Sequence, residues 1–244
     1  MQPAPGTEAG SRFGWLMAYL GRRELLLPVL LLVTAGTLLA FGKLAVEVLE
    51  GETRSFDRAL LLAFRNPADP SDPLGPRWLE EAARDITSLG STVVLTFVTL
   101  AVAGFLALAR KRGAALLVLV SVGGGTLLST LLKLGFERPR PDLVPHAAAV
   151  YTASFPSGHA MLSAITYLTL GTLLARIQPR RRLRAYIVAI AVLLTLLVGT
   201  SRIYLGVHWP TDVLAGWCLG AAWAMLCWAV ALWLQRRGRV ESNG

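Results

Sequence analysis

Six apolar blocks of 17–23 residues, each closed by a short polar or basic run, set the limits on what this 244-residue chain can fold into. Within a block the apolar residues are uninterrupted rather than confined to one helical face, so the solvent for most of the chain is lipid. Composition agrees: 54% of residues are hydrophobic and 16% charged, where a soluble domain carries about a quarter charged. The blocks lie at 25–43, 90–109, 113–132, 159–175, 184–200 and 212–234, each near the ~20 residues that carry a helix across ~30 Å of hydrocarbon. The expectation is an all-α polytopic membrane protein with six transmembrane helices in one domain over 25–234. An N-terminal segment (1–24) and a tail (235–244) flank it, and residues 1–11, small and rich in Pro and Gly, read as disordered. The first block does not read as a cleaved signal, because Glu47 and Glu50 follow it without a small-residue cleavage pattern. The fourth and fifth blocks are short, which fits helices that end at a polar site.

The net charge of +9 would suit nucleic acid, but its placement points to a membrane surface. Basic runs fall between apolar blocks, at Arg110-Lys111-Arg112, at Arg180-Arg181-Arg182 with Arg184, and at Arg236-Arg237 with Arg239. With Arg12, Arg22, Arg23 and Arg176, one side of the membrane holds 14 cations and the other 10. The positive-inside rule makes the first side cytoplasmic, with both termini there, and puts the site described below on the outer face of a plasma membrane. Nucleic-acid binding is not expected.

The outer segment 44–89 reads as an interfacial stretch. Phe56, Leu60, Leu61 and Phe64 recur at helical spacing against Asp57, Arg58 and Arg65, the pattern of a helix lying in the headgroup layer. Asn66 to Pro76 holds four prolines and reads as loop, and Arg77 to Leu89 as a second amphipathic helix. The hairpin either roofs a site, admits lipid, or merely connects spans. Gly123-Gly124-Gly125, Gly216 and Gly220 read as helix-packing positions, and the tryptophans of the last block as belt and packing residues. Cys218 and Cys227, nine residues apart on one helix, are about half a turn out of phase and cannot pair within it.

Three polar clusters break the apolar second half. Lys133 ends the third block, and Arg140-Pro141 follows in a loop stiffened by Pro139 and Pro141. A lysine point charge with a forked guanidinium suits phosphoryl oxygens, though cations at a helix end also simply face headgroups, as Glu137 and Arg138 would. Pro156-Ser157-Gly158-His159 lies where a loop turns into the fourth block. Free N–H groups at a helix start favour an anion, Ser157 adds a hydroxyl, Gly158 admits close approach, and His159 can protonate a leaving oxygen. A helix cap and an interfacial histidine are the plainer reading of the same residues. Ser201-Arg202, His208 and Asp212 form the third cluster. Four residues is one helical step, so Asp212 can hold one imidazole nitrogen of His208 and leave the other as nucleophile. Ionisable side chains at a membrane edge are functional by default. His146, between the first two clusters, reads as an exposed loop histidine.

In order and spacing the three clusters resemble the signature motifs of the type 2 phosphatidic acid phosphatase superfamily, whose active site is related to that of vanadium haloperoxidases. Every defining position over 133–212 is matched, and Arg84 to Ser91 resembles a stretch upstream of the motifs in bacterial members. The resemblance implies that Lys133, Arg140 and Arg202 bind phosphate, with Ser157 and Gly158 completing the cradle. It further implies that His208 attacks phosphorus, oriented by Asp212, and that His159 protonates the leaving group. No metal and no other cofactor are implied, and the sequence carries no carboxylate cluster of the kind that holds Mg²⁺.

The function expected is removal of phosphate from a lipid phosphate or pyrophosphate, with undecaprenyl pyrophosphate as the leading substrate by family analogy. Phosphatidylglycerophosphate and phosphatidate are the alternatives. A phosphotransferase could use the same phosphohistidine. A haloperoxidase would be expected to be soluble, and a scaffold would need no nucleophile. The partners expected are the lipid substrate and the surrounding membrane lipids.

Overall fold

A computed structural model describes residues 22–148 and 152–237, with side chains from Leu25 onward. The N-terminal stretch, including Arg12, and the end of the tail, including Arg239, lie outside the described residues. Eight helices are present among them: α1 (Arg22–Glu50), α2 (Arg54–Leu62), α3 (Arg77–Ser88), α4 (Thr92–Leu108), α5 (Arg112–Gly135), α6 (Gly158–Arg176), α7 (Arg181–Tyr204) and α8 (Pro210–Arg236). Five of them are individually long and apolar enough to cross a membrane. Helices α3 and α4, which meet at a 47° bend, make a sixth when the pair is counted as one span. The all-α polytopic architecture is as expected from the apolar blocks.

The bundle has the inverted pattern of a protein in lipid. Leu39, Val93, Phe97 and Leu108 are 74–88% exposed, while Ser121, Ser163 and Thr166 are fully buried. Hydroxyls tolerate such positions when they bond back to the preceding turn, as Ser163 does to the Ala160 carbonyl. At the centre stands α6, which packs on α4, α5 and α8 through Met161, Leu162 and Ile165 and also lies along α7. The approach of α8 to α6 is unusually close. A Cβ on Gly216 would lie 2.7 Å from the Ser157 carbonyl oxygen, and one on Gly220 would lie 2.6 Å from that of Met161. Small residues therefore set this contact, where backbones rather than side chains touch.

Several boundaries differ from the sequence reading. The first helix runs to Glu50 rather than ending near residue 43, because nothing breaks it before Gly51, whose φ is +78°. A Lys43–Glu47 ion pair one turn apart accompanies the extension. Helix α7 continues to Tyr204 and carries Arg202 in its last turn. The proline-rich loop contains a short antiparallel hairpin, β1 (Arg65–Asn66) with β2 (Asp69–Pro73).

The largest correction concerns α2. Its buried residues are Asp57 and Leu61, followed after the helix by buried Arg65, whereas Phe56 and Leu60 face outward. The interfacial helix expected from the sequence is present, with Phe56 and Leu60 exposed, but Asp57 and Arg65 are buried with Leu61 rather than solvated, and only Arg58 of the three charges stays exposed. The inward face of α2 is mixed, with a charge that finds partners and a leucine that packs beside it. Leu61 packs with Val144, Ala160, Ile203 and Val213, while Arg65 donates to the Tyr204 carbonyl at 2.8 Å. The segment is thus part of the core at the site end. Cys218 and Cys227 are both free thiols.

Candidate active site

Four helix ends meet at one end of the bundle. Lys133 sits in the last turn of α5 and Arg202 in the last turn of α7. Ser157 is the N-cap residue of α6, ahead of Gly158 and His159, and Asp212 lies in the first turn of α8. The loop after α5 brings in Arg138 and Arg140, and His208 hangs between α7 and α8. Basic Arg112, Arg176, Arg181 and Arg236 mark the other ends of the same four helices.

His208 is 1% exposed and Asp212 fully buried, so their geometry is fixed. The Nδ1 of His208 faces Asp212 Oδ2 at 3.4 Å, and its Nε2 lies 3.2 Å from Arg140 Nη1. A guanidinium can only donate, so Nε2 takes the acceptor role in that contact and Nδ1 carries the proton towards the carboxylate. The tautomer leaves a lone pair on Nε2, on the side where the cations gather. Asp212 Oδ2 also accepts from the Trp209 backbone N–H at 2.9 Å and from the Ser154 hydroxyl. Burial pushes the His208 imidazole down to about 4. The neighbouring Asp212 opposes this shift, and Arg202 and Arg140 add to it. Arg140 is likewise lowered by burial.

The cations form the opposite wall. Arg140 Nε donates to the Thr152 carbonyl at 2.9 Å and Nη1 to the Val207 carbonyl at 2.7 Å. Lys133 Nζ donates to Thr152 Oγ1 at 2.9 Å. Arg202, 4% exposed, donates to Thr87 Oγ1 at 3.1 Å. His159 joins the group, with the cations Arg202, Lys133 and Arg140 and the imidazole of His208 as its neighbours. A Cβ on Gly158 would meet Lys133 Nζ at 3.5 Å, so the lysine lies directly over the start of α6. Two buried donors of the cluster, Ser157 Oγ and Arg202 Nε, have no hydrogen-bond partner among the described residues. Buried hydroxyls elsewhere in the bundle, such as that of Thr166, are unpaired as well, so these two donors point to an anion only together with the cations around them. Three cations, a helix N-terminus and two unmatched donors are the chemistry that suits an anion such as a phosphoryl group.

All eight residues singled out from the sequence therefore fall in one cluster. His146 is an exposed loop residue, as expected, and its Nε2 donates to the Pro141 carbonyl at 2.7 Å. The upstream stretch resembling bacterial members borders the site. Thr87 anchors Arg202, and a Cβ on Gly90 would come within 2.3 Å of Val198 and 3.4 Å of His159.

Sequence reasoning missed four contributors. Arg138, assigned there to the headgroups, instead reaches Asp212 and Asp57, each at 2.6 Å. Asp57 is 1% exposed rather than on a solvated face. Ser154 and Thr152 supply the remaining partners. Arg138, two residues before Arg140, and Ser154, two residues before Pro156, lay close to the clusters. Asp57 lies 81 residues before Arg138, and no spacing rule links them. Both carboxylates of the cluster are engaged by that arginine, and among the described residues no three His, Cys, Asp or Glu side chains group to hold a metal.

Comparison with known proteins places this arrangement. The family model described as the PAP2 superfamily matches residues 114–236. Phosphatidylglycerophosphatase B of Bacillus subtilis is 38% identical over 148 residues, 59% of this chain and 70% of that protein. An undecaprenyl-diphosphatase of Sulfolobus acidocaldarius is 41% identical over 68 residues, 28% of this chain and 29% of the other. The crystal structure of the transmembrane PAP2-type phosphatidylglycerolphosphate phosphatase of Bacillus subtilis superposes with a TM-score of 0.72 at 30% identity. That superposition covers 86% of this chain and 98% of the other. Sequence and architecture agree, and the chain belongs to the PAP2 superfamily as a multi-pass membrane lipid phosphatase.

Proposed function

We propose that the chain hydrolyses a terminal phosphate from a glycerolipid phosphate, phosphatidylglycerophosphate first, through a phosphohistidine on His208. The observation that carries the mechanism is the orientation of His208, with Nδ1 towards Asp212 and Nε2 towards Arg140. The Nε2 lone pair attacks phosphorus while the bond from phosphorus to the lipid oxygen breaks, and the imidazolium form of His159, favoured once the anionic phosphate is bound, gives that oxygen its proton. Lys133, Arg140, Arg202, the Ser157 hydroxyl and the backbone at Gly158 hold the equatorial oxygens, where charge is concentrated in the transition state. Asp212 stabilises the imidazolium character that builds on His208. In the second step water attacks phosphorus and gives its proton to His159. The N–P bond breaks, inorganic phosphate leaves, and both histidines return to their starting states.

The substrate ranking rests on the relatives. The match to the glycerophospholipid phosphatase runs through 70% of that protein, whereas the undecaprenyl match covers 29% of its counterpart. Undecaprenyl pyrophosphate, the leading expectation from the sequence, becomes the second reading, supported by that shorter but 41% identical stretch. The site faces the outside of a plasma membrane in this proposal, supported by basic residues at the opposite helix ends.

The test is phosphate release by purified protein in detergent with EDTA, comparing phosphatidylglycerophosphate, undecaprenyl pyrophosphate and phosphatidate at equal surface concentration. Release should vanish in His208→Ala, and the first lipid should give the highest kcat/KM. A different ranking reassigns the substrate. An active His208→Ala protein removes the phosphohistidine. Transfer to an added lipid alcohol in place of release would make the chain a phosphotransferase.

A further inference from the structure

Arg138 is not a defining position of the first motif and Asp57 lies outside all three, yet both are bound to the carboxylate that faces the nucleophile, Arg138 directly and Asp57 through it. Arg138 Nη1 donates to Asp212 Oδ1 at 2.6 Å and to Thr211 Oγ1 at 2.8 Å, while Nη2 donates to Asp57 Oδ2 at 2.6 Å. Asp57 in turn accepts the Thr211 backbone N–H at 2.9 Å, the Thr211 hydroxyl at 2.8 Å and the Thr53 hydroxyl at 3.0 Å. That backbone N–H is one of the free donors at the start of α8, where a carboxylate is also favoured by the helix dipole. Both carboxylates are essentially buried and the Arg138 side chain is 14% exposed, so little water screens the three charges.

The two oxygens of Asp212 are divided between tasks. Oδ1 takes Arg138, which leaves Oδ2 facing His208 Nδ1. Arg138 differs from Arg140 in this respect. Its two terminal nitrogens are spent on carboxylates, whereas Arg140 reaches the nucleophilic nitrogen of His208. We propose that Arg138 and Asp57 are a positioning pair, which fixes the rotation and charge of the Asp212 carboxylate and makes docking of the interfacial helix α2 a condition for an active His208. The inference rests on the phosphohistidine reading above, since it assigns the pair to the residue that orients the nucleophile.

The groups facing His208 and Asp212 are Arg138 and Arg140 from the loop, Lys133 from α5, His159 from α6, Arg202 from α7 and, through Arg138, Asp57 from α2. Removing Arg138 takes away the cation in direct contact with Asp212 and leaves a proton as its replacement. The acid side of the kcat profile then moves to higher pH. Substrate binding changes little, because Arg138 is committed to the carboxylates.

The test uses full-length protein in detergent with Arg138→Met, Arg138→Lys and Asp57→Asn, beside His208→Ala. Arg138→Met should lower kcat by about 100-fold, the cost of a misplaced catalytic group, with KM within about threefold. Its acid limb should rise by about one pH unit. Lysine cannot fork between two carboxylates, so Arg138→Lys should recover only part of kcat while returning the acid limb towards wild type. Asp57→Asn should lower kcat in the same direction, and its combination with Arg138→Met should be no worse than Arg138→Met alone. A raised KM at unchanged kcat would make Arg138 a substrate ligand and overturn the proposal. So would an unmoved acid limb in protein that is monodisperse and melts as wild type. If Arg138→Met does not fold, the near-isosteric Asp57→Asn and the charge-preserving Arg138→Lys decide the same question. Activity in His208→Ala would sink the phosphohistidine reading. An inactive His208→Ala beside a normal Arg138→Met would sink the positioning pair alone.

Discussion

Gly216 ties helix packing to chemistry, and replacing it with alanine tests both. It lies one helical turn after Asp212 on α8, against the backbone of Ser157 at the start of α6. An added Cβ would stand 2.7 Å from the Ser157 carbonyl oxygen, 3.0 Å from Ala160 Cβ and 3.1 Å from the Met161 nitrogen. Ordinary contact begins near 3.4 Å, so the shortfall is about 0.7 Å. No flexible side chain can absorb it, because two of the three neighbours are backbone atoms. The helices must therefore separate. Helix α8 carries Asp212 and abuts His208, while α6 carries Ser157 and His159, so the separation acts directly between nucleophile and general acid. Overpacking of this kind costs about 1–3 kcal/mol. A displacement approaching 1 Å in a catalytic group costs about 100-fold in rate. Gly216→Ala should therefore melt at lower temperature in detergent and lose roughly 10- to 100-fold in kcat. Gly220→Ala, with its Cβ 2.6 Å from the Met161 carbonyl but one turn further from the site, should lose similar stability and less activity. Wild-type melting and wild-type kcat in Gly216→Ala would refute the claim that backbone contact at this point sets the site.

Three other outcomes follow from the geometry. Gly158→Ala places its Cβ 3.5 Å from Lys133 Nζ and Ser129 Oγ, ordinary contact, so the fold should be kept while KM rises, because the methyl occupies the phosphate side of the helix start. Arg202→Met should leave Thr87 Oγ1 without its donor and abolish competitive inhibition by inorganic phosphate, measured against residual activity. His208, held near 4 by burial, is neutral at physiological pH, so the acid limb due to this group should lie near pH 4 rather than near 6.5. The same shift predicts a stability change. Its folded value lies below the unfolded one, so the contribution is fully present above about 6.5 and is lost as pH falls towards 4. Melting temperature should drop over that window in wild type and drop less in His208→Asn.

Much of this molecule is written locally. The membrane fold follows from runs of apolar residues near 20 long, since only helices satisfy their own backbone in lipid. The three motif clusters were legible because each lies within a few residues of a helix end, where spacing along the chain determines which side chains share a face. His208 and Asp212 pair through Nδ1 at the expected four-residue spacing, although His208 lies in the loop before α8 rather than on its face. What the chain could not disclose is which distant groups complete the charge balance. Asp57 reads as the polar side of a surface helix, because amphipathic pattern alone does not say whether water or another charge lies beyond it. Only the docking of α2 on the start of α8 turned that face inward and supplied Arg138 with its second carboxylate. Burial of a charge is decided by its partners, and here, beside nearby Thr53, Asp57 depends on Arg138 and Thr211, 81 and 154 residues away.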